Sequence, residues 1–152
     1  MQSSSESATD IVNSLLDHLA ASSLGTIGTG GAPFVSLVNL ARYSQTSLVM
    51  LLSGLAQHTR NLLQDDRGSL LITSEIQPGV DPLTSARVTL SGRATRRSRN
   101  EDEAERACML KRHPKAAMYA ELGDFAIFKF EITEAHLVAG FGRIQTIAAD
   151  QL

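Results

Sequence analysis

The feature that most constrains this chain is a succession of short β-type segments, most of them separated by too little sequence for a crossover helix. These are Leu24 to Thr29, Phe34 to Arg42, Leu48 to Leu52, Ser69 to Thr73, Arg87 to Ala94, a strand carrying Phe128, Phe130 and Ile132, and Ala135 to Ala139. The first ends at the Gly30-Gly31 turn signal, and Ser53-Gly54 breaks the third. Parallel neighbours need long connections, so short ones predict antiparallel pairing in a barrel or sandwich. Helical spacing is confined to a few places. Ile11, Leu15 and Leu19 predict a helix from about Asp10 to Ala20, with Thr9 or Asp10 as its cap. A two-turn helix is expected from Gln57 to Leu63. A third, from an Asn100/Glu103 capping box to about His113, stops before Pro114, and Lys115 to Leu122 adds a short fourth. These helices fall at ends and corners, the pattern of a mainly β barrel with peripheral α.

The alternation within the strands sets their faces. Val88, Leu90 and Ala94 point one way and Arg87, Thr89, Ser91 and Arg93 the other. On the second segment Val35, Leu37 and Ala41 lie on one face and Ser36, Val38 and Leu40 on the other, so cover is expected on both sides. A length of 152 residues fits one domain, 1–152, with residues 1–8 expected to fray. An apolar fraction of 43% excludes a disordered chain, and a net charge of −2 supplies no field toward nucleic acid or an anionic membrane. The single Cys108 excludes an intrachain disulfide and points to a reducing compartment. The first residues lack a signal-peptide pattern, and no 18-residue apolar run could span a bilayer. The expectation is a cytoplasmic protein without nucleic-acid or membrane partners.

The chemistry concentrates after the third strand. A helix that starts at Gln57, directly behind a buried strand and Ser53-Gly54, presents free backbone N–H groups and the positive end of its dipole. Such a start holds phosphate, and Ser53, His58, Thr59 and Arg60 offer side-chain donors. The plain alternative is a surface helix with a polar first turn. Arg93, Arg96, Arg97 and Arg99 are followed by Glu101, Asp102, Glu103 and Glu105 without interleaved aromatics, which reads as a self-neutralised surface. His18, His113 and His136 have no partners at zinc-site spacing, and no metal site is expected. Cys108, beside Ala104 and Ala107, reads as a packed hydrophobe.

The stretch Leu51-Leu52-Ser53-Gly54-Leu55-Ala56-Gln57-His58-Thr59-Arg60-Asn61-Leu62, followed by Asp66-Arg67 and Ser69-Leu70-Leu71, resembles the pyridoxamine 5′-phosphate oxidase-like split-barrel flavoproteins. Gly31 to Val38 and Ala86 to Ala94 resemble two further strands of that family, and Ala139-Gly140-Phe141-Gly142-Arg143 resembles the C-terminal motif of its subgroup related to haem-utilisation proteins. The resemblance implies an antiparallel split barrel, a homodimer, and FMN at the subunit interface. By position it places Ser36, Val38, Leu52 and Ser53 beside the flavin, and Gln57, His58 and Thr59 at its phosphate. It also places Arg87 and Arg143 near the cofactor. A bound phosphate dianion would favour the charged form of His58.

Departures from the family narrow the function. Ser36 and Ala41 stand where oxidases of pyridoxine vitamers carry Arg and Lys, so oxidation of pyridoxamine phosphate is not expected. Gln145-Thr146 follows the Gly-Arg pair where the subgroup commonly has His and an aromatic residue, and no further domain follows the barrel in this sequence. The expected function is FMN binding, with a flavin-dependent oxidoreductase of unknown substrate as the first form. A non-catalytic FMN-binding or storage module and a haem-binding split-barrel protein are the alternatives. In the flavin forms the cofactor carries the chemistry and the protein orients it, so no catalytic side chain is assigned.

Overall fold

The computed structural model describes residues 5–140 and 142–152. The chain opens with α1 (Ala8–Asp17), capped by Ser7 rather than by Thr9 or Asp10. The Ser7 hydroxyl accepts from the Asp10 amide, and the Asp10 carboxylate accepts from the Ser7 amide in return. Such a cap contributes about 1 kcal/mol and fixes the start of α1 at Ser7. Of the fray expected over residues 1–8, the first four positions lie outside the described residues.

The strands are β1 (Ala21–Ile27), β2 (Pro33–Asn39), β3 (Ala41–Arg42), β4 (Ser47–Ser53), β5 (Arg67–Thr73), β6 (Arg87–Arg96), β7 (Phe125–Val138) and β8 (Ile144–Ala148). All pairs are antiparallel, in the order β2-β1-β5-β6-β7-β4-β3. β8 shares the free edge of β7 with β4, pairing Glu134–Val138 while β4 pairs Phe125–Glu131. The sheet curls until β2 lies alongside β4 without hydrogen-bonded pairing, which makes a half-barrel. Leu24, Leu70, Leu90 and Ala135 are cross-strand neighbours pointing inward. With Leu48, Met50, Phe128 and Phe130 they form the main core, which α1 closes with Val12, Leu15 and Leu16.

Two expected strands, Phe128 to Ile132 and Ala135 to Ala139, are one. A bulge explains why they read as two. Ser91 pairs with Glu134 but Gly92 pairs with Ile132, so Thr133 is extra and the inward phase shifts by one residue. Gly92 is required there: a Cβ would lie 2.2 Å from the Glu131 carbonyl oxygen. β8 has no counterpart among the expected strands.

The remaining helices are α2 (Gln57–Gln64), α3 (Glu103–Arg112) and α4 (Ala117–Ala120). The N-cap of α3 is Asp102, not Asn100; its carboxylate makes no capping bond and is turned to Arg106 (2.9 Å) and Arg99 (3.2 Å). α3 and α4 cover the outer side of β3, β4 and the first half of β7, burying Val49, Leu51 and Ile127 against Met109, Ala116 and Ala120. The expected cover on both sides of β2 is not met within one chain. Val38 and the following Leu40 are buried, whereas Val35 and Leu37 are exposed. Among the described residues no helix is long and apolar enough to cross a membrane.

Candidate functional site

The turn between β4 and α2 is built by its own side chains. Ser53 Oγ accepts from the Leu55 amide (3.1 Å) and donates to the Asp124 carboxylate (2.9 Å). The Gly54 amide donates to the Asp124 carbonyl oxygen (2.6 Å), and a Cβ on Gly54 would approach that oxygen to 3.1 Å. Thr59 Oγ1 donates back to the Ser53 carbonyl (2.6 Å), tying the first turn of α2 to the end of β4. Gln57 Nε2 donates to Asn61 Oδ1 (2.8 Å), and buried Asn61 Nδ2 donates to Thr26 Oγ1 on β1 (3.0 Å). His58 Nδ1 and Ser36 Oγ share a hydrogen bond of 2.8 Å, which joins α2 to the inner face of β2. Partial burial lowers the pKa of His58, favouring the neutral ring. Val38 and Leu52 are buried in the main core.

Ser36, Val38, Leu52, Ser53, Gln57, His58 and Thr59 therefore occupy one region. Arg87 and Arg143 do not join them within the chain. Arg93 pairs with Arg67, just after α2, whereas Arg87 pairs with Thr73 at the far end of β6. That separation along the strand is roughly 20 Å. There Arg87 donates to the carbonyls of Leu83 (2.8 Å) and Ser85 (3.3 Å), and Arg143 donates to the Glu6 carbonyl. Phe141 of the C-terminal motif lies outside the described residues. Asp124 is the site residue that sequence reasoning missed. Its only signal was a place in the Gly123-Asp124 turn, 71 residues from its partner Ser53.

For a phosphate the fit is mixed. The α2 N-cap, Ala56, supplies no side-chain acceptor, which leaves the first-turn backbone donors to a ligand. The side chains fit less well: Ser53 and Thr59 already donate within the chain, Arg60 donates to the Leu55 carbonyl (2.7 Å), and the Asp124 carboxylate stands against Ser53. A dianion there meets the Asp124 carboxylate beside Ser53 and a His58 whose partial burial lowers its pKa.

The fold and this turn define a split-barrel protein. The chain belongs to the CREG β-barrel family, whose model matches residues 4–152. It is 34% identical over 110 residues to the chloroplastic noncanonical haem oxygenase HOZ of Arabidopsis thaliana, a match spanning 72% of this chain and 33% of that protein. It superposes on a haem binding protein from Mycobacterium smegmatis with a TM-score of 0.87 at 31% identity, over 95% of this chain and 59% of that one. A pyridoxinephosphate oxidase-family protein from Clostridium acetobutylicum, related to a general stress protein, shares the fold at 14% identity with a TM-score of 0.71, over 94% and 95% of the two chains. The chain thus spans about a third of the curated relative and under two thirds of the mycobacterial one.

Proposed function

We propose that this protein binds haem and does so as a homodimer. The observation that carries the ligand is the self-satisfied turn, in which Ser53 and Thr59 are engaged and Asp124 disfavours a dianion. The names of two relatives above 30% identity, a haem oxygenase and a haem binding protein, support the same ligand. FMN stays as the second reading, favoured by the uncapped start of α2.

The dimer is supported by the bare outer face of β2, β1 and β5, where Val35, Leu37 and Leu71 are exposed. A stable pair needs on the order of 1,000 Å² or more of buried surface, and this unhelixed half of the sheet is the broad face available for it. A second copy is also the means by which Arg87 and Arg143 could approach the α2 turn of a neighbour. Titration with haemin, followed by absorbance, and with FMN, followed by flavin fluorescence, tests the ligand. Saturation at one haem per chain is expected. Tight FMN binding by a protein indifferent to haemin would overturn the haem reading.

A further inference from the structure

The run Arg93, Arg96, Arg97 and Arg99 reads in sequence as neutralised by the acidic residues that follow it, but folding sorts those charges differently. Arg93 is tied to Asp66, between α2 and β5. Arg96, Arg97 and Arg99 line a cavity of about 440 Å³ between the β6–α3 connection and the α4–β7 turn, and Arg106 reaches it from α3. Of the four acidic residues expected to neutralise the run, Asp102 alone lines this cavity. Glu105 holds Arg97 (3.1 Å) from outside the lining, and Glu101 and Glu103 make no ion pair with these arginines.

The four guanidinium groups are held in two ways. Arg97 and Arg106 are fixed by the buried carboxylates of Glu105 and Asp102, and Arg106 also donates to the Ala120 carbonyl (2.6 Å). Arg96 has no ion-pair partner among the described residues. Arg99 meets Asp102 (3.2 Å) and Glu121 (3.0 Å), and the side chains of the second pair are 58% and 72% exposed. So exposed a pair holds weakly and gives way to a better anion. With Glu121 swung aside, four guanidinium groups face the carboxylates of Asp102 and Glu105, and two positive charges are left over. A phosphate monoester carries about −1.5 to −2 at neutral pH and offers three acceptor oxygens to such forked donors. Beside the arginines the lining turns apolar, with Leu122, Phe125 and Ala126. The Phe125 ring is steadied by Tyr119, 4.9 Å away between centroids. The volume is that of a small-molecule site, and none of Ser53, Gln57, His58 or Thr59 lines it. Asp124, next along the chain from the lining residue Gly123, is engaged by Ser53.

We propose that this cavity binds a small phosphate monoester with an apolar or aromatic body, its phosphate taken by Arg96 and Arg99 and its body laid on Leu122 and Phe125. The site stands apart from the α2 turn and does not depend on the haem reading. The test is calorimetric titration of the full chain at low ionic strength with phenyl phosphate, inorganic phosphate and phenol. It is run on the wild type and on Arg96→Gln, Arg99→Gln, Glu121→Gln and Arg60→Gln, each checked by circular dichroism. Losing a charge-assisted hydrogen bond should weaken phenyl phosphate about 10-fold in either of the first two variants. Glu121→Gln removes the competing carboxylate and should tighten binding by up to about 5-fold, a gain that a merely structural glutamate would not give. Phenyl phosphate should bind more tightly than inorganic phosphate, and phenol more weakly than either. Arg60→Gln removes a donor at the α2 turn and reports whether the phosphate goes there instead. A wild type that takes up no phenyl phosphate would overturn the proposal. So would a double variant, Arg96→Gln with Arg99→Gln, that binds as tightly as the wild type, or a loss confined to Arg60→Gln. Inorganic phosphate binding as tightly as phenyl phosphate would overturn the apolar half of the site.

Discussion

The outer side of the sheet falls into two halves with similar residues and opposite surroundings. Over β3, β4 and the start of β7, Val49 and Ile127 are 0% exposed beneath α3 and α4. Over β2, β1 and β5, Val35 is 67% and Leu37 is 72% exposed. Apolar residues on a strand's outer face therefore announce a cover without saying who provides it. One half is covered by this chain's own helices. The other is left for the second copy proposed above.

The largest effect should come from charging the covered half. Val49→Asp puts a carboxylate without a partner under α3, and denaturant unfolding should show a loss of more than ~3 kcal/mol. A loss below ~1 kcal/mol would mean that α3 and α4 do not seal that face. Next comes the lid itself. Arg106 pairs with Asp102 in a buried site (2.9 Å) and donates to the Ala120 carbonyl (2.6 Å), holding α3 to α4. Arg106→Ala should cost about 3 kcal/mol and speed amide exchange across Ala117–Ala120.

On the bare half the same kind of charge should leave the single chain intact. Leu37→Asp is expected to change the intrinsic stability of one chain by about 0.5 kcal/mol or less while converting dimer to monomer in light scattering. A dimer that persists would place the interface elsewhere. The smallest effect lies where the bare half meets α2. Burial lowers the pKa of His58, so below the unfolded value of 6.5 the unfolded chain takes up a proton first. Stability is then fully present above that value and declines as pH falls below it, until the folded ring also titrates. His58→Gln should flatten this decline in thermal unfolding between pH 7 and 5. An identical decline in the variant would assign it to other groups.

Much of the fold was legible because antiparallel strands repeat every two residues and because Pro114 stops α3. Val88, Leu90 and Ala94 read as inward and are buried. The misreadings arose where local signals meet tertiary ones. Thr133 breaks the alternation of β7, and nothing local distinguishes a bulge from a strand end. Asp102, not Asn100, precedes α3, and its carboxylate is spent on Arg106 one turn into the helix rather than on a helix amide. The motif around Ser53 and His58 was readable as one site because its residues are near in sequence. Asp124 was not, since only folding brings it to Ser53.

Native mass spectrometry of the protein mixed with equal haemin and FMN tests the central claim most directly, since it weighs ligand and partner together. The account predicts two chains carrying two haems and no flavin. A single chain, or a dimer carrying only FMN, would contradict it.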